Sequence, residues 1–464
     1  MTDQTATADQ TSGTDPERGI DQKSLTASWK ALPTWLRWAL MAAGGVLLLA
    51  IVQSVSGTEL LTGANASSGM LRWSMPILFA GLGGLFSERV GVVNIGLEGM
   101  MILGTWCGAM GAIELGPWGG LVAGMIGGAL GGLLHAVSTV QFGVDHIISG
   151  VAINILAPGL TRFLSDRFFP QRGGSISQSP PGLDGLGDFT VPILSDLFES
   201  IADWDVFFIS DMASVLQGFV TDLKWFTLIG LLLVPASSWL LFKTKLGLRM
   251  RICGENPYAG ESLGVDIYKH KYLGVVMSGA LAGLAGAFIV IELTGLYRGG
   301  QTQGRGFIGL AALIFGNWRA GGVLAGALLF GYPFALSLND FDASGSGVGT
   351  RALLLLVAVA LLAFAAWSWW TQRGESVARP EPDLARTPTQ SYTNAIRGLG
   401  NYSNTVLAAV LGVIILAWYL LTERAAEWVP NTMPYALVLI VLVFASQNLK
   451  MPAADGMPYR KGET

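Results

Sequence analysis

The sequence predicts an all-α polytopic membrane protein, and three observations carry that prediction. Of 464 residues, 51% are hydrophobic and only 13% charged, whereas soluble domains carry about 25% charged residues. Mean hydropathy is +0.51. The apolar residues fall in solid blocks, such as Met41–Val52, Met100–Gly111 and Ala352–Trp367, which approach or reach the ~20 residues a helix needs to cross the hydrocarbon core. A strand barrel would show alternation instead. This composition excludes a soluble enzyme of the same length. The formal net charge of −4 gives no sign of nucleic-acid binding, because the basic residues sit in short loops.

A polar tail, residues 1–35, lacks the pattern of a secretory signal and leads into a retained first span. About twelve segments follow, at roughly 36–53, 70–86, 92–112, 117–137, 145–163, 225–242, 273–291, 306–317, 320–338, 351–369, 406–421 and 434–449. The eighth is too short to span and reads as a half-helix packed on its successor. Lys243, Lys245, Arg249, Arg251, Lys269 and Lys271 place the loop 243–272 in the cytoplasm. Arg373, Arg379, Arg386 and Arg397 in 370–405, and Lys450, Arg460 and Lys461 in the tail, belong on the same side. The loop 164–224 carries Asp184, Asp188, Asp196, Glu199, Asp203, Asp205 and Asp211, and reads as external. Counting spans from a cytoplasmic N-terminus puts each loop where its charge predicts, with both termini cytoplasmic.

These features divide the chain into a transmembrane core at 36–340, a helical pair at 341–430, and a closing helix with basic tail at 431–464. Pro380, Pro382 and Pro388 mark 372–405 as a flexible cytoplasmic linker. Cys107 and Cys253 imply no disulfide framework. Gly116, Gly120, Gly124, Gly128 and Gly132 recur every four residues and form one flat stripe, suited to close backbone approach. Gly279, Gly283 and Gly286, then Gly322 and Gly326, repeat the device.

Three polar runs could carry function. In Phe86–Met100, Asn94 and Glu98 lie i,i+4 on one helical face. A carboxylate entering a membrane segment faces a bundle interior or an aqueous cavity; a helix start also stabilises an anion. Glu88 and Arg89 read most simply as an interfacial ion pair. In Leu246–Tyr272, Asn256 can cap a short helix begun by Pro257 and ended by Gly264. That helix is either a surface turn or a docking element for a cytoplasmic partner. The run Gln301–Ala311 is a polar, glycine-rich entry to the half-helix, and either lines a cavity or makes an ordinary external turn. Asn154 is a weaker candidate, since a membrane asparagine often bonds a neighbouring helix. Asn94, Glu98, Asn154, Gln303 and Phe307 are the substrate-pathway candidates. No phosphate-binding loop, zinc-protease motif or nucleophile elbow is present, so no catalytic or metal-binding residues are expected.

At these runs the sequence resembles the membrane permease subunit of bacterial ABC importers, in the branch of branched-chain amino-acid, ribose and nucleoside permeases. Ser87–Gly99 resembles the signature of the nucleoside (basic-membrane-protein-associated) and simple-sugar subgroup. Gly254–Gly264 followed by Ser278–Gly286 matches its coupling loop and next helix, and Gly304–Ala311 its following motif. Met433-Pro-Tyr435 through Met457-Pro-Tyr-Arg-Lys461 resembles the end of nucleoside-type permeases. The resemblance implies a multi-pass protein of the bacterial inner membrane that takes up nucleosides or related small polar solutes, with simple sugars as the alternative. It further implies two cytoplasmic ABC ATPase subunits, a second permease subunit (a paralogue), an external solute-binding lipoprotein and surrounding lipid. Cofactors are none in this chain; ATP-Mg would sit on the partner ATPase. Gly254, Glu255, Asn256, Pro257, Ala259 and Gly264 would form the coupling contact. An ion-driven secondary transporter is the competing class, and it would need membrane carboxylates such as Glu98 and Glu292 to cycle ions.

Overall fold

A computed structural model of the chain describes residues 31–175, 177–180, 182–343, 348–377, 388–422, 432–433, 435–440 and 449–462. The polar tail to residue 30, the centre of the 372–405 linker and most of the closing span 434–449 lie outside the described residues. The architecture is a helical bundle with one small two-stranded ribbon. Six described stretches are long and apolar enough to cross a bilayer: Ala39–Ser56, Leu97–Gln141, His146–Phe168, Trp225–Lys243, Ile267–Leu293 and Arg351–Trp370.

Helix α1 (Thr34–Ser56) flanks the bundle, and α2 (Ala64–Arg89) runs through its centre. α2 is less apolar than its neighbours, yet it is buried along most of its length against three later helices. Protein surrounds it instead of lipid, so small and polar side chains are tolerated. α3 (Leu97–Ala136) is broken at Gly116, whose φ of +75° and extended ψ precede Pro117. It is therefore two antiparallel segments, at the boundary the sequence predicts. α4 (His146–Phe168) is capped by Asp145, whose carboxylate accepts from the Ile147 and Ile148 amides.

The external loop is structured. β1 (Asp188–Phe189) pairs antiparallel with β2 (Leu223–Lys224), enclosing α5 (Pro192–Ala202) and α6 (Ile209–Gly218). Asp211 fastens α6 to the outer end of α1, accepting from Thr62 Oγ1 at 2.5 Å and Gln53 Nε2 at 3.2 Å. The acids that mark this loop as external thus also build it.

α7 (Trp225–Lys243) leads into the basic loop, where α8 (Lys245–Glu255) and α9 (Pro257–Ser262) precede α10 (Ile267–Phe288). A wide turn, Ile289–Leu293, extends α10. The glycine stripe of α3 meets that of α10: a Cβ on Gly128 would lie 2.5 Å from the Gly283 Cα. The two backbones touch, as small residues permit. α11 (Arg305–Phe315) is the half-helix. Its eleven residues reach roughly 16 Å at ~1.5 Å per residue, about half the hydrocarbon core. α12 (Ala320–Ala343) packs back against it through Gly322 and Gly326.

α13 (Val348–Val377) and α14 (Pro388–Leu421) pack against each other beside this core. Both extend into the stretch expected to be a flexible linker, leaving only 378–387 between them. The prolines explain the shift. Pro388 sits at the first position of α14, where its missing N–H costs nothing, so it starts a helix instead of breaking one.

Candidate functional site

α2 ends where Gly91 takes φ +79°, and Ser87 Oγ donates to Val92 O at 2.5 Å across the turn. Residues 92–96 are not helical, and α3 begins at Leu97. Unwound backbone in a membrane must find internal partners. His135 Nε2 pairs with Val93 O at 3.1 Å, and Val93 N donates to His146 Nδ1 at 3.3 Å. Asn154 serves both ends of the next turn: its Nδ2 donates to Ile95 O at 3.0 Å, and its Oδ1 accepts from Gly99 N at 2.7 Å. Asn94 Nδ2 donates to Ser278 Oγ at 2.9 Å, while its buried Oδ1 meets no donor among the described residues.

Glu98 is 7% exposed. Its Oε1 accepts from Thr302 Oγ1 at 2.6 Å and Gly304 N at 2.9 Å; its Oε2 accepts from Gly306 N at 2.7 Å. The amides that stabilise it belong to the half-helix α11, not to its own helix. The contact is close enough to require glycine, since a Cβ on Gly306 would lie 2.6 Å from the Glu98 Cα. Gly309 packs against Gly81, a Cβ there falling 2.9 Å from the Gly309 carbonyl, which sets this joint well inside α2. Arg305 fixes the loop before α11 from below. Its Nη1 donates to Gln301 O at 2.9 Å and its Nη2 to Gln303 Oε1 at 3.2 Å. Its guanidinium lies 5.0 Å from the Trp73 ring centroid and 4.8 Å from that of Phe334.

The structure thus brings Glu98 and Gln303 into one loop cluster and ties Asn154 to the same helix start. Asn94 lies in the unwound segment, and Phe307 stands apart at 46% exposure. Thr302, Arg305 and Trp73 are the members that sequence reasoning missed. A lone charge at the entry to the apolar half-helix is the signal for Arg305; nothing in the sequence pairs it with Trp73. Glu292 accepts from Leu186 N at 2.8 Å and so holds the external loop. Both carboxylates that an ion-driven carrier would cycle are engaged by backbone donors.

The second site is the basic loop between α7 and α10. Asn256 Oδ1 caps α9 by accepting from Ala259 N at 3.0 Å, and Gly264 closes it at φ +78°. The Cα of Gly254 lies against the α2–α3 turn, where a Cβ would fall 2.6 Å from Arg89 O. Tyr258, Ala259 and Leu263 face outward, and Leu263 is 76% exposed. Glu88 and Arg89 do not pair with each other, because consecutive helical residues point in different directions. Glu88 Oε2 accepts from Trp318 Nε1 at 2.5 Å. Arg89 donates to Trp318 O at 2.6 Å and approaches Glu255 at 3.8 Å.

Residues 67–366 match the family described as branched-chain amino acid transport system permease component. The match takes in most of α13, beyond the boundary at residue 340 expected from sequence. The chain is 36% identical to the nucleoside ABC transporter permease NupC of Lactococcus lactis, over 57% of this chain and 79% of that protein. It is 38% identical to the guanosine ABC transporter permease NupQ of Bacillus subtilis, over 58% of this chain and 80% of that one. A putative glucose ABC transporter permease of Haloferax volcanii is 33% identical over 56% and 73% respectively. No solved structure matches. With an unwound turn and a half-helix packed inside a bundle of apolar spans, and with a family match over most of its length, the chain belongs to the branched-chain amino acid transport system permease family: it is a multi-pass membrane permease subunit of an ABC importer, a transport component and not an enzyme.

Proposed function

We propose that this permease takes up nucleosides, driven by separate ATPase subunits that dock on α9. The similarity to nucleoside and guanosine permeases, at 36% and 38% identity, supports the substrate class over the sugar reading at 33%. The observation that carries the docking reading is Leu263. A side chain 76% exposed beside Ala259, on a capped helix at the cytoplasmic face, offers a partner an apolar contact.

The path from that contact to the membrane is short. α9 follows α8, whose Gly254 rests on the turn after Arg89. That turn leads through residues 92–96 to Glu98, and Glu98 grips the N-terminus of α11. ATP binding and hydrolysis on the partner would displace α9, and the unwound segment would carry the displacement to the half-helix. Gly254, Glu255, Asn256, Pro257, Ala259 and Gly264 form the coupling segment in this mechanism. Glu98, Gln303 and Asn154 set the joint that moves, Asn94 lies buried in the unwound segment, and Phe307 belongs to the pathway surface. A second permease subunit and an external solute-binding protein complete the assembly.

The test is uptake of labelled guanosine by cells expressing the complete transporter, with unlabelled glucose and adenosine as competitors. Competition by adenosine and not glucose is expected; the reverse would assign the sugar. Leu263→Glu should reduce ATPase co-purification with the permease at normal membrane expression. Unchanged co-purification would remove α9 from the docking surface.

A further inference from the structure

The described C-terminal tail, Leu449–Gly462, folds back onto the coupling loop. Lys450 N donates to Asn317 Oδ1 at 2.7 Å, and Ala454 N to Gly254 O at 2.8 Å. Ala453 N reaches Glu255 Oε2 at 3.3 Å. Tyr459 donates its hydroxyl to Glu261 Oε2 at 2.7 Å and sets its ring 5.3 Å from Tyr258 and 5.7 Å from Tyr268. It therefore touches α9 and the first turn of α10 together. Between these anchors lies Asp455, 9% exposed, with neither carboxylate oxygen bonded by a donor of ordinary geometry among the described residues. Its charged neighbours are the Glu88 carboxyl from α2 and the Lys271 amine from α10. Lys271 Nζ itself donates to Gly91 O at 3.3 Å.

Two carboxyls can bond each other only when one keeps its proton. One proton between Glu88 and Asp455 would leave a single negative charge for Lys271 to balance. The tail so closes a buried cluster over the α2–α3 turn, beside the coupling segment.

We propose that the C-terminal tail is a latch that positions the coupling helix α9, held by the Ala454–Gly254 and Tyr459–Glu261 bonds, with Asp455 buried beside the Glu88 carboxyl. Asp455 and Tyr459 are positioning residues: they act through α9 and contact no solute. The inference rests on α9 being the coupling helix. An ATPase pushing on a latched helix moves the α2–α3 turn with it; pushing on a released one moves only the loop.

The experiment pairs two readouts on the full chain. Amide hydrogen exchange in lipid nanodiscs reports whether 257–264 is held, and guanosine uptake in cells with the complete transporter reports coupling. Asp455→Ala should accelerate exchange at 257–264 by about tenfold or more, with 97–136 unchanged, and should reduce uptake to a similar degree. Asp455→Asn, which offers Glu88 an N–H donor, should restore both. Tyr459→Phe should give a smaller change of the same sign, and carries the test should Asp455→Ala fail to insert. Unchanged exchange in both variants would overturn the latch. Faster exchange with wild-type uptake would overturn the positioning role. Should the wild-type transporter take up no guanosine, the substrate assignment fails while the exchange readout still decides the latch.

Discussion

Glu98, at the start of α3, and Asp455, in the tail, are 7% and 9% exposed, and their surroundings differ in kind. Three donors, one hydroxyl and two amides, converge on Glu98. Among the described residues no side-chain or backbone donor of ordinary geometry reaches Asp455, and the Glu88 carboxyl is its charged neighbour. Burying a carboxylate costs several kcal/mol unless hydrogen bonds or a proton replace its hydration. The membrane joint uses the first solution and the cytoplasmic joint the second. Amides are fixed by the fold, so the Glu98 joint is permanent. A shared proton can leave, so the Asp455 joint is conditional.

Glu98→Ala should break the first joint and has the largest expected effect. It would leave Thr302 Oγ1 and the Gly304 and Gly306 amides unpaired in a protein interior, at roughly 1–3 kcal/mol for each donor. Thermal unfolding in detergent should show a marked loss of stability, and uptake should vanish. Glu98→Gln should recover only part, because its amide would turn a donor toward a donor. Wild-type stability in both variants would show that the α11 N-terminus is held by its own loop and not by Glu98.

The second joint should respond to pH, with less force. Burial first, and the Glu88 carboxylate second, push Asp455 from the ordinary 3.8 up to about 9; Lys271 and the Gly456 amide pull the other way. The latched tail therefore binds one proton more than the released tail between those limits. The latched fraction must fall as pH rises above the ordinary carboxylate range, by at most about tenfold per pH unit. Arg89, Glu255 and Glu261 also face the tail, so Asp455→Asn is the control that isolates the pair. A spin label at the exposed Met457 should gain mobility with rising pH in the parent chain and show no slope in Asp455→Asn. Equal slopes would place the titrating group elsewhere.

Much of this was legible in the sequence, and what was not has physical reasons. Solid apolar runs located the helices, and the eighth segment read as a half-helix because 306–317 is too short to span. Asn256, Pro257 and Gly264 act within a few residues of one another, so local rules place α9. The external helices were missed as such although Pro192 and the spacing of Leu194, Leu197 and Ile201 signal one of them; the acids drew the reading toward a loop. The Glu98–Gly306 and Asp455–Glu88 contacts join residues hundreds of positions apart. A single sequence shows that such residues are unusual in their surroundings, but not with whom they pair.

Asn94 offers the smallest effect on stability and the sharpest separation of the two regions. Its Nδ2 bonds Ser278 Oγ, a neutral pair whose loss costs about 1 kcal/mol. Its Oδ1 is buried without a donor, and removing an orphaned acceptor returns part of that cost. Asn94→Ala should therefore unfold within about 1 kcal/mol of the parent. An orphaned acceptor in the moving segment would find its donor in another state of the transport cycle, or in the solute. Uptake should accordingly fall while thermal stability and exchange at 257–264 stay at parental values. A parallel loss of stability and uptake would class Asn94 with Glu98 as part of the fixed joint. Full uptake would leave it as packing, and the unwound segment would then act through its backbone alone.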